Sequence, residues 1–292
     1  MNANDPQPLL KKRAVNGTEL AYFERNEARR DAPTLFFVHA TGFHGRVWDY
    51  IIEQFPDCHV IALEQRGHGR SAKHTVDHWR TFGEDQAAFI DALGLTDLLG
   101  VGHSMGAHAM IDAAAKSTAF RRLLLCDPTV ASPQDYEAAP EVDFSVLHPA
   151  ARRRRNFASV EEMIEQLAPK SSFPLFHPRM LRDYCEHGLE DDGAGGLTLC
   201  CPPEVEAHVY MASRTNGGVY DSVREIDIPV TVVRAKRPPE DAPHDFASSP
   251  TWPGLAGTFS KGTEIHLEDC SHFIPMERPQ LVVRLIQEFC AH

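Results

Sequence analysis

Short apolar runs that alternate with stretches of helical spacing constrain this chain more than any other feature of its sequence. Thr34–His39 (TLFFVH), His59–Leu63, Leu98–Gly102 and Arg122–Cys126 (RLLLC) each have the length and composition of a strand buried on both faces. Between them, Val47–Phe55 places Trp48, Ile51, Ile52 and Phe55 on one side of a helix, and Thr81–Leu93 and the Ala-rich Met105–Lys116 also read as helices. This order predicts an α/β fold, a mostly parallel sheet flanked by helices. The rhythm stops at Asp127-Pro128 and resumes with Pro229–Val233 (PVTVV), Glu264–Leu267 (EIHL) and a closing helix over Gln280–Phe289. The stretch between is poor in strand patterns, with helical segments at Ser159–Leu167 and Met180–Gly188 and a loop at Asp191–Gly196. It predicts an inserted helical cap over 132–223, with the core made of 1–131 and 224–292.

Charge and cysteine usage narrow the function classes. With 29 Lys and Arg against 41 Asp and Glu, the net charge of −12 repels phosphate backbones and anionic lipid, so neither nucleic acid nor membrane is an expected partner. Lys11, Lys12 and Arg13 adjoin no apolar segment of the kind an export signal needs, and no apolar run approaches the ~18 residues of a membrane span. A cytoplasmic location is the expectation. The seven cysteines (Cys58, Cys126, Cys185, Cys200, Cys201, Cys270 and Cys290) show neither a C-x-x-C pair nor zinc-ligand spacing, so reduced thiols and no metal site are expected.

The chemistry concentrates at Gly102-His103-Ser104-Met105-Gly106, where a strand pattern runs directly into a helix pattern. A Gly-x-Ser-x-Gly sequence in that context lifts the Ser hydroxyl above the sheet edge, and its glycines remove Cβ atoms where backbone and neighbouring elements crowd. The start of the helix behind Ser104 favours developing negative charge. A Ser hydroxyl is a poor nucleophile until a base takes its proton. Of the sixteen histidines, His272 stands just past the last strand pattern, on the same carboxyl edge of the sheet as Ser104.

From about Thr18 to Phe289 the chain resembles the α/β-hydrolase superfamily, in its branch of capped serine hydrolases and esterases. The likeness is carried by His39-Ala40-Thr41-Gly42 with Trp48 beyond it, the turn Gln65-Arg66-Gly67-His68-Gly69-Arg70-Ser71, the Ser104 motif, and His272-Phe273-Ile274-Pro275-Met276-Glu277-Arg278-Pro279. The resemblance implies Ser104 as nucleophile, His272 as general base, and the backbone N–H groups of Met105 and Thr41 as an oxyanion hole. Ala40 stands where the family usually has Gly, and Glu64 replaces the family's usual Asp before the Arg-Gly turn.

For the third member of the triad, the family's commonest position, just after Pro229–Val233, holds no carboxylate; Glu240, Asp241 and Asp245 come a few residues late. A second position used by some members is the end of the preceding strand, here Asp127. Asp127 is the expected acid, with Asp241 and Glu240 as the alternatives. Phe43, His103 and Phe273 are expected near the substrate pocket, and Phe157, Phe173, Leu175, Phe176, Met180 and Tyr184 are expected mainly to pack the cap onto the sheet. Arg152 to Arg155 read as a solvated or ion-paired run.

The resemblance therefore implies a serine hydrolase that cleaves a small-to-medium carboxylic ester, lactone or thioester through an acyl-enzyme, with no cofactor and with a small acyl compound as its partner; a homodimer is compatible with it. An acyltransferase, perhydrolase or C–C bond hydrolase on the same residues is the alternative within catalysis. A non-catalytic ligand receptor is the alternative outside it.

Overall fold

The computed structural model describes residues 8–30, 33–146, 148–238 and 247–290. The chain enters with a hairpin, β1 (Leu9–Val15) and β2 (Thr18–Arg25), closed by Asn16 and Gly17, both at positive φ. Two consecutive residues in that region make the tight turn whose twist matches paired strands. Sequence periodicity did not predict this hairpin, because β1 is an edge strand with Lys11, Lys12 and Arg13 in its middle, a composition that discourages further strand pairing.

The expected alternation follows: β3 (Thr34–Val38), α1 (Asp49–Ile52), β4 (His59–Leu63), α2 (Arg80–Leu93), β5 (Leu98–His103), α3 (Met105–Lys116) and β6 (Phe120–Cys126). Helix α1 is shorter than the predicted 47–55 segment, since a 3-10 turn over Gly45–Trp48 replaces its first part. After β6 the chain leaves the sheet for α4 (Pro133–Glu137), β7 (Asn156–Phe157), α5 (Val160–Leu167), α6 (Pro178–His187), β8 (Leu189–Asp191), β9 (Leu197–Leu199), α7 (Pro203–Met211) and α8 (Val219–Glu225). It returns with β10 (Val230–Arg234), β11 (Gly262–His266), α9 (Ile274–Glu277) and α10 (Pro279–Cys290). The excursion is not purely helical: β7, β9 and β8 form a small antiparallel sheet, in strands of two or three residues that are too short to leave a periodic signal. Helix α8 buries Val219 and Val223 in the same apolar cluster as Ile111 of α3.

The main sheet has eight strands among the described residues, in the order β1-β2-β4-β3-β5-β6-β10-β11, parallel from β4 to β11. All four of Leu35, Phe36, Phe37 and Val38 are fully buried, because β3 is covered on both faces. Phe36 and Val38 join Phe89 of α2 and Met110 of α3 on one side, while Leu35 and Phe37 join Trp48, Ile51 and the α10 residues Val282 and Ile286 on the other. From β3 the chain runs to β4 on one flank and then crosses to β5 on the other. That reversal opens a crevice at the carboxyl ends of β3 and β5, the place where open α/β sheets bind ligands.

Candidate active site

Ser104 occupies the turn between β5 and α3 with φ 56 and ψ −119, a conformation that non-glycine residues rarely adopt. Backbone bonds hold it there: its N–H donates to the Cys126 carbonyl at 3.0 Å, and its own carbonyl accepts from His108 at 3.0 Å and Thr129 at 3.3 Å. The flanking glycines are required by close approach. A Cβ at Gly102 would lie 2.6 Å from Ala107 Cα, and one at Gly106 would lie 2.5 Å from the His39 carbonyl oxygen and 2.6 Å from that of Val38.

His272 lies in the loop after β11. Its carbonyl accepts from His103 Nε2 at 2.9 Å, and the preceding Ser271 donates through both N–H and Oγ to Glu277 Oε2, at 2.9 and 2.8 Å. The ring is 1% exposed and bridges two partners: Nε2 stands 2.9 Å from Ser104 Oγ, and Nδ1 stands 2.7 Å from Asp127 Oδ2. A carboxylate only accepts, so Nδ1 carries the proton and Nε2 presents a lone pair to the Ser hydroxyl. Asp127 ends β6 at positive φ and is fully buried. Its second oxygen, Oδ1, accepts from the Ala235 N–H at 2.9 Å, Ser249 Oγ at 2.6 Å and Thr251 Oγ1 at 3.2 Å. These donors fix the plane of the carboxylate that faces His272. The alternative acids Glu240 and Asp241, with Asp245, lie outside the described residues.

Thr41 belongs to the loop after β3, and its Oγ1 contacts Met105 Sδ at 3.4 Å. Met105 is the first residue of α3, where a backbone N–H has no intrahelical acceptor. The Thr41 loop is anchored through His39, whose Nδ1 donates to the Ala40 carbonyl at 2.8 Å while Nε2 accepts the Gln65 N–H at 3.0 Å. Burial, reinforced by the neighbouring His68 ring, holds His39 well below the usual histidine range, so it is a neutral structural bridge. Glu64 is fully buried, accepts the Gly45 N–H at 3.2 Å, bonds the Arg70 N–H, and pairs with the Arg70 guanidinium at 2.9 Å. It therefore ties the loop after β3 to the turn after β4.

Ser104 opens into a cavity of about 270 Å³ whose lining includes Thr41, Trp79, Thr129, Tyr136, Tyr210 and Arg214. The three pocket residues expected from sequence do not line it. Phe43, His103 and Phe273 instead pack on one another, with ring centroids 5.8 to 6.2 Å apart, behind the loop after β3. His103 cannot reach the cavity because its side chain is fully buried and committed to the His272 carbonyl. Burial, with the nearby His272 ring, takes it down to about 3.

The arginine run is engaged in ion pairs: Arg153 with Glu206 at 2.6 Å, Arg154 with Glu162 at 2.6 Å and Arg155 with Glu204 at 2.9 Å. Phe157, Phe176, Met180 and Tyr184 are buried in the apolar cluster above the sheet, whereas Leu175 is exposed.

Sequence reasoning missed several residues around the reacting atoms. Thr129 Oγ1 lies 3.1 Å from Ser104 Oγ, and Ser249 and Thr251 hold Asp127 from 122 and 124 residues away in the chain. Thr129 was accessible in principle, two residues beyond Asp127. The two later hydroxyls carry no local signal.

Comparison with known proteins agrees with this architecture. The chain is 36% identical over 93 residues to the bifunctional esterase/perhydrolase DCH of Acinetobacter calcoaceticus, a match that covers 29% of this chain and 32% of that protein. It is 37% identical over 98 residues to the lipase LipV of Mycobacterium tuberculosis, covering 32% of this chain and 36% of that one. These matches span about a third of the length of the curated relatives. Among solved structures, E-2-(acetamidomethylene)succinate hydrolase superposes with a TM-score of 0.76 at 20% identity, over 98% of this chain and 100% of the other. No helix among the described residues is long and apolar enough to cross a membrane. The model of the alpha/beta hydrolase family matches residues 35–285, and the chain belongs to that family.

Proposed function

We propose that the protein is a serine hydrolase that cleaves small carboxylic esters through an acyl-enzyme on Ser104. The observation that carries this reading is the continuous Asp127–His272–Ser104 hydrogen-bonded chain with its Ser end in a cavity. His272 Nε2 takes the proton of Ser104 Oγ as the oxygen bonds to the ester carbonyl carbon, and Asp127 stabilises the resulting imidazolium. The oxyanion rests on the N–H groups of Met105 and Thr41, each donor contributing about 2.7–4 kcal/mol at the transition state. His272 then passes the proton to the departing alcohol, which leaves the acyl group on Ser104. In the second half, His272 takes a proton from water as its oxygen attacks the acyl carbon, and Ser104 is regenerated with release of the acid. The inserted segment 132–223 acts as the cap that shapes the acyl and alcohol sites.

Mass spectrometry after exposure to a small fluorophosphonate tests the reading. An adduct on Ser104 that is lost in His272→Ala is the expected result. A folded sample that forms no adduct and consumes no ester overturns it in favour of a ligand-binding role. The bifunctional esterase/perhydrolase relative motivates a second reading, in which hydrogen peroxide replaces water in deacylation and a peracid is the product. Peracid formation with an acyl donor and peroxide distinguishes the two.

A further inference from the structure

Among the described residues, the cavity in front of Ser104 contains a cation with no acidic side chain beside it on the lining. Arg214 lines it, half-buried, and among the described residues it makes no ion pair and no hydrogen bond. Several other part-buried arginines are matched to carboxylates, as Arg66 is to Asp85 and Arg153 to Glu206, and part-buried Arg122 lies over the Phe289 ring. None of the described lining residues is an Asp or Glu, in a chain with 41 acidic residues.

The turn that presents Arg214 is fastened on both sides. Thr215 Oγ1 donates to the Ala212 carbonyl at 2.7 Å and accepts the Trp79 N–H at 3.1 Å. Asn216 Nδ2 donates to Asp112 at 2.6 Å and to His108 Nε2 at 3.0 Å, and His108 Nδ1 donates in turn to the Thr129 carbonyl at 2.8 Å. One buried polar chain thus ties the turn carrying Arg214 to the residue whose hydroxyl touches Ser104. Tyr136, also on the lining, keeps its proton because burial pushes its phenol up to about 12, which leaves a neutral hydroxyl.

We propose that Arg214 is an anion-binding residue and that the substrate is a short ester bearing a carboxylate remote from the scissile bond. This proposal rests on the hydrolase reading above. A guanidinium carries a fixed charge and matches a planar carboxylate with two parallel N–H donors. A single cation neutralises a single negative charge, which favours a carboxylate over a doubly charged phosphate monoester. A volume of about 270 Å³ falls just below the roughly 300–1,000 Å³ of ligand pockets and selects short substrates.

The test compares mono-4-nitrophenyl glutarate with 4-nitrophenyl pentanoate, an anionic and a neutral ester of similar size. The native enzyme is expected to prefer the anionic ester by at least tenfold in kcat/KM. Arg214→Gln should shrink that preference at least tenfold, and Arg214→Lys should recover part of it. Absence of the preference in the native enzyme, or equal losses on both esters in Arg214→Gln, overturns the proposal. Glutarate binding, followed by calorimetry, separates the two levels of inference. If neither ester is turned over but glutarate binds and Arg214→Gln weakens it at least tenfold, the hydrolase reading falls and the anion site stands. Glutarate binding that Arg214→Gln leaves unchanged removes the anion site even if both esters are hydrolysed.

Discussion

His272 Nε2 lies 2.9 Å from Ser104 Oγ although 168 residues separate the two in sequence. Each is placed by a different strand end, β5 for the serine and β11 for the histidine, and β6 between them supplies Asp127 at 2.7 Å from the other ring nitrogen. The ring of His103, the residue before the serine, reinforces the meeting by bonding the backbone carbonyl of His272 through Nε2. Three strand ends of one sheet thus bring Ser104, Asp127 and His272 together.

Replacement of Asp127 by Asn is expected to lower kcat by about 10⁴-fold, the cost of presenting imidazole in the wrong tautomer. The amide nitrogen facing Nδ1 donates a hydrogen bond and reverses the proton arrangement on the ring. Steady-state hydrolysis of an activated ester measures it, with near-ultraviolet circular dichroism as the control for folding. Turnover within tenfold of the native enzyme would remove Asp127 from the triad and direct attention to the 239–246 segment.

The Thr129 hydroxyl touches Ser104 Oγ at 3.1 Å, on an oxygen that also contacts His272 Nε2 at 2.9 Å. Its loss in Thr129→Val removes one neutral hydrogen bond, worth about 0.5–1.5 kcal/mol. A fall in kcat of roughly two- to tenfold is expected, with Ser104 still labelled by a fluorophosphonate. A drop as deep as that of Asp127→Asn would show that Thr129 does more than orient the serine.

Gly106→Ala should destabilise the fold as well as the site. The new methyl would meet two backbone carbonyl oxygens of β3 and the loop beyond it, neither of which can rotate away. Overpacking of this kind costs about 1–3 kcal/mol or more, which for a chain of this size lowers the melting temperature by about 2–4 °C per kcal/mol. An unchanged melting temperature would mean that α3 can back away from β3.

Glu24 is expected to contribute to the loss of stability in acid. Burial disfavours its charge, but hydrogen bonds from Lys11, Arg30 and His59 outweigh that cost and bring it down from 4.5 to about 2. Its stabilisation is therefore complete above pH 4.5 and disappears as the pH falls through about 2, amounting to at most about 3 kcal/mol. Urea melts between pH 6 and pH 3 should show a decline that is flatter in Glu24→Gln, from a lower starting stability. Equal slopes in the two proteins would place the acid sensitivity elsewhere.

The β/α order, the sharp turn at Ser104 and His272 in the loop after β11 were legible because each rests on local chemistry. Strands buried on both faces need continuous apolar runs, and β5 into α3 tolerates only glycine at 102 and 106, where neighbouring backbone comes within 2.6 Å. Edge strand β1 leaves no apolar alternation because nearly all of it is exposed and its middle is charged, and strands β7 to β9 are too short to repeat.

Only the tertiary structure decided what surrounds the reacting atoms. Asp127 is set apart from other strand-end aspartates by Ser249, Thr251 and Ala235, which converge on one of its oxygens from more than a hundred residues away. Phe43 and Phe273 looked equally fit for a pocket in sequence but pack against His103, while Arg214 lines the cavity with nothing in its local sequence to mark it. Strand and turn propensities act over a few residues, so the sequence alone determined the scaffold and the sharp turn at Ser104. The direction a loop side chain faces depends on whichever distant segment packs against it, and that was settled only by the folded chain.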